Sequence, residues 1–183
     1  GALRGGPALR TPGGVNGWGG LASDSRKRLS AELNAWFWRG DEGSGKAGGI
    51  DPAVSWRPSG RMEFSFGPSI NWNHDTWQYL QTSAVPGNTE YFFGDLDQTT
   101  LSFRLRGNVT FLPTLTLQVY AEPFYSAGQY LGVQHVLDPR GERWSDRMAY
   151  LTPAQISRDN ASGDFLVDLN SDATTDATIG NPD

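Results

Sequence analysis

Apolar and polar residues take turns along the chain from Met62 to Trp72, from Leu101 to Phe111 and from Leu115 to Pro123, and a period of two admits a half-buried β-strand and little else. Met62, Phe64, Phe66, Pro68, Ile70 and Trp72 alternate with Arg61, Glu63, Ser65, Gly67, Ser69 and Asn71. The cleanest run sets Leu101, Phe103, Leu105, Gly107, Val109 and Phe111 against Ser102, Arg104, Arg106, Asn108 and Thr110. A turn at Leu112-Pro113-Thr114 leads into Leu115, Leu117, Val119, Ala121 and Pro123, against Thr116, Gln118, Tyr120 and Glu122. Upstream, Leu29, Ala31, Leu33, Ala35 and Phe37 face away from Ser30, Glu32, Asn34, Trp36 and Trp38, and a short strand follows from Ile50 to about Arg57.

These runs predict an all-β fold: an antiparallel meander of about five long strands across residues 26–126. Residues 1–25 read as a Gly/Pro-rich loop region and residues 127–183 as one long polar loop, and both ends of the chain look cut. Tight turns at 57–60 and 112–114 alternate with long connections at 40–49 and 74–99. Short turns on one side, long loops on the other and strands of about ten residues are the pattern of a transmembrane up-and-down β-barrel, the last polar stretch being extracellular.

Composition fits a sheet with one apolar and one wet face: 12% of the residues are aromatic, yet the mean hydropathy is −0.48. No segment has a helical period that could supply a second layer, so lipid is the expected cover for Leu101, Phe103, Leu105, Val109, Phe111, Leu115, Leu117 and Val119. Glu63, Arg104, Arg106 and Glu122 would then face the lumen, and antiparallel counting sets Arg104 opposite Glu122. Trp56 and Phe111 lie beside the short turns, where an interfacial aromatic girdle belongs. The competing expectation is a soluble, secreted β-sandwich or lipocalin-like barrel that binds a ligand and carries an acidic calcium-binding loop, with the same alternation facing a core. A net charge of −5 without a basic patch argues against nucleic acid, and the absence of cysteine excludes disulfides and thiolate metal sites. No run of 18 apolar residues exists for a spanning helix, which leaves barrel strands untouched by the argument.

Little in the sequence points to catalysis. No nucleophile elbow, H-E-x-x-H or Walker motif occurs, and His74 and His135 are the only histidines. His74 and Asp75 are neighbours and would point to opposite faces of a strand, so both histidines read as surface residues and the chain as a non-enzyme. Asp168, Asn170, Asp172 and Asp176 place hard oxygens at the spacing of a calcium loop, but Ala173 stands where that loop needs Gly and Ile179 where it needs Glu. Trp77, Tyr79, Tyr91, Phe92, Tyr130 and Trp144 are candidates for packing strand ends or stacking on sugars.

Several scattered stretches carry a family likeness: Leu3-Arg4-Gly5-Gly6-Pro7, Ser23-Asp24-Ser25-Arg26-Lys27, Trp56-Arg57-Pro58-Ser59, the run from Phe93 to Ser102, the run from Leu115 to Phe124, and Leu137-Asp138-Pro139. In these the chain resembles an uncharacterised outer-membrane barrel domain of large Gram-negative envelope proteins, in which a family-9-like carbohydrate-binding module precedes the barrel. The resemblance implies a bacterial outer-membrane location, lipid as partner, and a segment that anchors its parent and conducts or binds glycan-type ligands through extracellular loops. It implies a carbohydrate ligand only through the parent's module, which has no counterpart here. No cofactor is expected, with calcium in the acidic loop as the alternative.

Overall fold

The computed structural model describes residues 2–85 and 87–181. Its main body is one antiparallel sheet. β1 (Gly14–Ala22), β2 (Leu29–Gly40), β3 (Gly45–Ser59), β4 (Met62–Val85) and β5 (Asn88–Leu112) pair in chain order, each with the next. β6 (Leu115–Ala121) continues the meander along the lower part of β5, and β7 (Phe124–Val136) pairs with its upper part. A short helix α1 (Trp144–Arg147) precedes β8 (Met148–Tyr150), which adds to β7. A separate three-stranded sheet follows, from β9 (Ile156–Arg158), β10 (Phe165–Val167) and β11 (Ala177–Ile179). The antiparallel all-β meander expected from the alternation is therefore the fold.

β6 and β7 are one strand in register. Leu105 pairs with Ala121 and Ser102 with Phe124, so the partner numbers sum to 226 on both sides of the break. The break falls at Pro123, which has no N–H to donate, although its carbonyl still accepts from the Phe103 N–H at 3.0 Å.

Three segments differ from the sequence reading. The 1–25 loop contains β1, in which glycines separate Val15, Trp18 and Leu21 at intervals of three and so hide the strand pattern. The connection expected over 74–99 is a continuation of both strands, giving β4 24 residues and β5 25. Asp75 pairs with Leu96 and Gln78 with Gly94, then Tyr79 with Phe93 and Gln81 with Phe92, so β4 carries an extra residue in each interval. Those bulges erase the period of two without ending the strand. The polar stretch 127–183 likewise holds most of β7, then α1 and β8 to β11.

β5 itself is unbroken from Asn88 to Thr110. Its upper mismatch with β7, Asp95 with Gly132 but Leu96 with Tyr130, puts the extra residue in β7 at Leu131. Alternation along β5 therefore sets Phe93, Asp95 and Asp97 on the face of Leu101 and Leu105, and Phe92, Gly94 and Leu96 on the face of Arg104. The buried core lies at this upper end, on both faces. Leu3, Phe93, Val136, Trp144 and Met148 cluster on one. Phe92, Val133, Leu151, Val167, Ala177 and Ile179 cluster on the other, where the small sheet packs.

Candidate functional site

The lower half of the sheet is a single layer. On one face, register carries apolar residues from strand to strand: Leu29 to Trp56 to Phe64, Ala31 to Val54 to Phe66 to Leu105, and Ala35 to Ile50 to Ile70 to Leu101. Phe66 stacks on Phe103 at 6.2 Å, and Trp56 lies 5.9 Å from Phe64. All the residues expected to meet lipid sit in this half. Leu101, Phe103, Leu105, Leu115, Leu117 and Val119 are exposed and Val109 is half-buried. Phe111 is exposed too, in the irregular step between Thr110 and Leu112 beside the turn. A cavity of about 740 Å³ between Trp56, Phe64, Leu105, Val109 and Leu117 opens outward on this face.

Polar groups end the apolar band at its upper side. Arg39, Lys46, His74, Asp97 and Gln129 stand in register across β2, β3, β4, β5 and β7. The tight turns end it below.

The opposite face is polar. Arg104 Nη2 meets Glu122 Oε1 at 3.5 Å, the pairing that antiparallel counting expected. Arg106 lies over the Tyr120 ring at 5.5 Å, and Tyr120 donates its hydroxyl to Glu122. Glu63 takes an ion pair from Arg57 Nε at 3.1 Å, a partner on β3 that counting along the 101–123 hairpin could not supply. Trp18 opposes Trp36 on this face, and Trp36 opposes Gly49, which in turn opposes Asn71. A Cβ on Gly49 would sit 2.5 Å from Trp36 Nε1 and 2.2 Å from Asn71 Oδ1, so both side chains occupy the space over the glycine.

Above the band, β5 brings both histidines against carboxylates. His74 Nε2 is 3.5 Å from Asp95 Oδ1, and His135 Nδ1 is 3.4 Å from Glu90 Oε2. Asp95 is 7% exposed and accepts a 2.8 Å hydrogen bond from the Tyr150 hydroxyl at Oδ2, while its Oδ1 has no hydrogen-bond partner. Burial, and then the Asp95 carboxylate, push the Tyr150 phenol up to about 12. Asp75, beyond the polar row, is raised by burial and by the charge of Asp95, against a hydrogen bond from the Trp77 N–H that lowers it. Gln134 donates to the Thr76 carbonyl at 2.6 Å and Thr76 to the Ser44 carbonyl at 2.7 Å, so the cluster ties β7 and the residue just before β3 to β4. Both histidines thus differ from the expected surface residues: they are partnered across strands, a relation invisible until register is known.

The acidic loop folds around its own backbone. Asp168 accepts from the N–H groups of Asp172 and Ala173, Asp172 from that of Thr174, and Asp176 from that of Leu169. Ser171 and Ala173 take positive φ in this turn. Asn170 donates to Asp172 at 3.0 Å. Among the described residues no three His, Asp or Glu side chains converge as a metal-holding group, and Asp168, Asn170, Asp172 and Asp176, whose spacing suggested calcium, meet one another and backbone amides in this turn. Their oxygens are turned to amides because the loop must reverse the chain from β10 to β11.

The architecture is that of an all-β domain built on one long antiparallel sheet. The chain matches the family described as "Domain of unknown function (DUF5916)" over residues 3–170, and it belongs to that family. No curated protein and no solved structure matches the chain.

Proposed function

We propose that the lower half of the sheet is a membrane-embedded wall of an outer-membrane β-barrel, and that the chain's work is to anchor its parent protein there. The observation that carries this reading is the contiguous apolar face with no covering layer. Each large apolar side chain left in water forgoes about 1.5–3 kcal/mol. The chain's other packing elements, the 151–181 module and the N-terminal segment, are spent on the upper end around Phe92 and Phe93. A soluble sandwich needs a layer against Phe66 and Leu105, and no element among the described residues supplies one.

Dimensions agree. From Met62 to Trp72 the band runs ten residue steps along β4. At about 3.3 Å per step and a tilt of 35–45° this is about 25 Å of membrane thickness, the height of the apolar band on such barrels. Trp56 near one end and Trp72 near the other suit the two interfaces. The charged groups on the opposite face suit a wet lumen. β1 pairs only with β2, and β6 only with β5, among the described residues, so closure takes further strands from this or another chain.

The test is depth-dependent quenching in bilayers. Single-cysteine labels at Leu105 and Val119 should be quenched by brominated acyl chains and labels at Arg106 and Gln118 by aqueous iodide. Quenching of all four by iodide alone would sink the membrane reading.

A further inference from the structure

The polar face carries a feature that a merely wet wall does not require. Trp18, Trp36 and Trp38 all project from it, although their strands offer an apolar face on the other side. Trp18 is 87% exposed and Trp36 38%. Trp36 occupies the space over Gly49 and stays partly open to solvent, and Trp38 rests against Gly40 and Gly45 near the upper end of the band. Asn71 shares the Gly49 platform with Trp36, while Asn34 and Asp51 oppose one another in the next row below. The rows are about 6.7 Å apart, two residues along a strand.

We propose that this face of β1 to β4 is a binding track for neutral, extended oligosaccharides. The inference rests on reading the face as the lumen wall, and it names a ligand class for that wall. A pyranose ring has an apolar C–H face and a rim of hydroxyls. Open indole faces take the first, and Asn amides, which both donate and accept, take the second. The charge selects against other occupants: these three rows hold no Lys or Arg and a single Asp51, so phosphate, nucleic acid and acidic glycans find no counter-charge. The cations that the polar face does carry lie outside these rows and are already engaged: Arg57 on β3 with Glu63, and Arg104 and Arg106 on β5 with Glu122 and Tyr120.

The experiment uses the whole chain in detergent micelles, with maltohexaose and cellohexaose as neutral probes and hexagalacturonate as the anionic one. Magnetisation transfer from indole protons to sugar C–H protons reads binding in the wild-type protein without any variant. Titration by at least one neutral hexasaccharide is expected, weakened roughly tenfold by Trp18→Ala or Trp36→Ala. Trp56→Ala, on the other face, should leave it unchanged, and hexagalacturonate should bind more weakly. No transfer to either neutral probe, or binding that survives the double change at Trp18 and Trp36, overturns the track. A brominated detergent in the same samples separates the two readings. Quenching of Trp56 and Trp72 without sugar binding removes the track and leaves the membrane wall, while sugar binding without that quenching does the reverse.

Discussion

At the scale of single residues, the same charge chemistry has opposite weight in the two halves of the sheet. Arg104 and Glu122 meet at 3.5 Å on an open face, with side chains 57% and 35% exposed. Such pairs contribute about 0–1 kcal/mol, so Arg104→Ala should barely move the unfolding midpoint in detergent. Asp75 is half-buried within reach of the Asp95 charge, and its carboxyl is raised. A raised acid stabilises the fold when protonated, below its ordinary 3.8, and loses that contribution as pH rises through the folded value. At neutral pH the charge is a cost. Asp75→Asn keeps an oxygen for the Trp77 N–H, so the melting temperature should rise at pH 7 and not at pH 3. Tyr150 obeys the same sign at the other end of the scale. Its stabilisation is full below 10.0 and falls away as pH rises to about 12, and Tyr150→Phe should flatten that part of an alkaline melting profile.

At the scale of elements, the small sheet β9–β11 is held to the long hairpin by a compact set of contacts. Phe92 is fully buried among Val133, Val167 and Ile179, and Gln81 donates to the Thr178 carbonyl at 2.6 Å. Phe92→Ala should cost about 3–5 kcal/mol locally and expose residues 151–181 to limited proteolysis while the lower sheet stays intact. This is also where the sequence was least legible. The lower strands could be read because the residues from Leu101 to Phe111, and again from Leu115 to Ala121, follow a period of two. The upper strands could not, because bulges at 75–78 and 79–81 put neighbouring side chains out of phase and because glycines replace apolar residues in β1. The Arg104–Glu122 pairing was countable from one tight turn. The His74–Asp95 and Glu90–His135 contacts depend on register accumulated across those bulges. The Trp ladder was visible only as residues on the wrong side of an alternation.

At the scale of the molecule, β4 and β5 form one hairpin that runs about 80 Å from the short turns to Gly87, at about 3.3 Å per residue. Roughly its lower half carries the apolar band, and its upper half carries the core. Labels near Gly87 and near Phe111 should therefore lie far apart on the membrane normal, and pulsed electron-spin distance measurements on reconstituted protein would read that span directly. A folded-back hairpin, with the tip within half that distance, would contradict the arrangement.

The unbroken run of β5 has a consequence for how members of this family differ in length. Extra residues are absorbed beside it, in β4 at 75–81 and in β7 at Leu131, where a bulge displaces one side chain and the count recovers. A single insertion or deletion inside β5 between Gly94 and Thr100 has no such outlet. It inverts everything on one side of the lesion, sending Phe93 where Phe92 belongs or Leu101 where Ser102 belongs. In an alignment of the family, gaps should gather in the strands flanking β5 and avoid β5 itself, making this strand the ruler by which the others are allowed to vary.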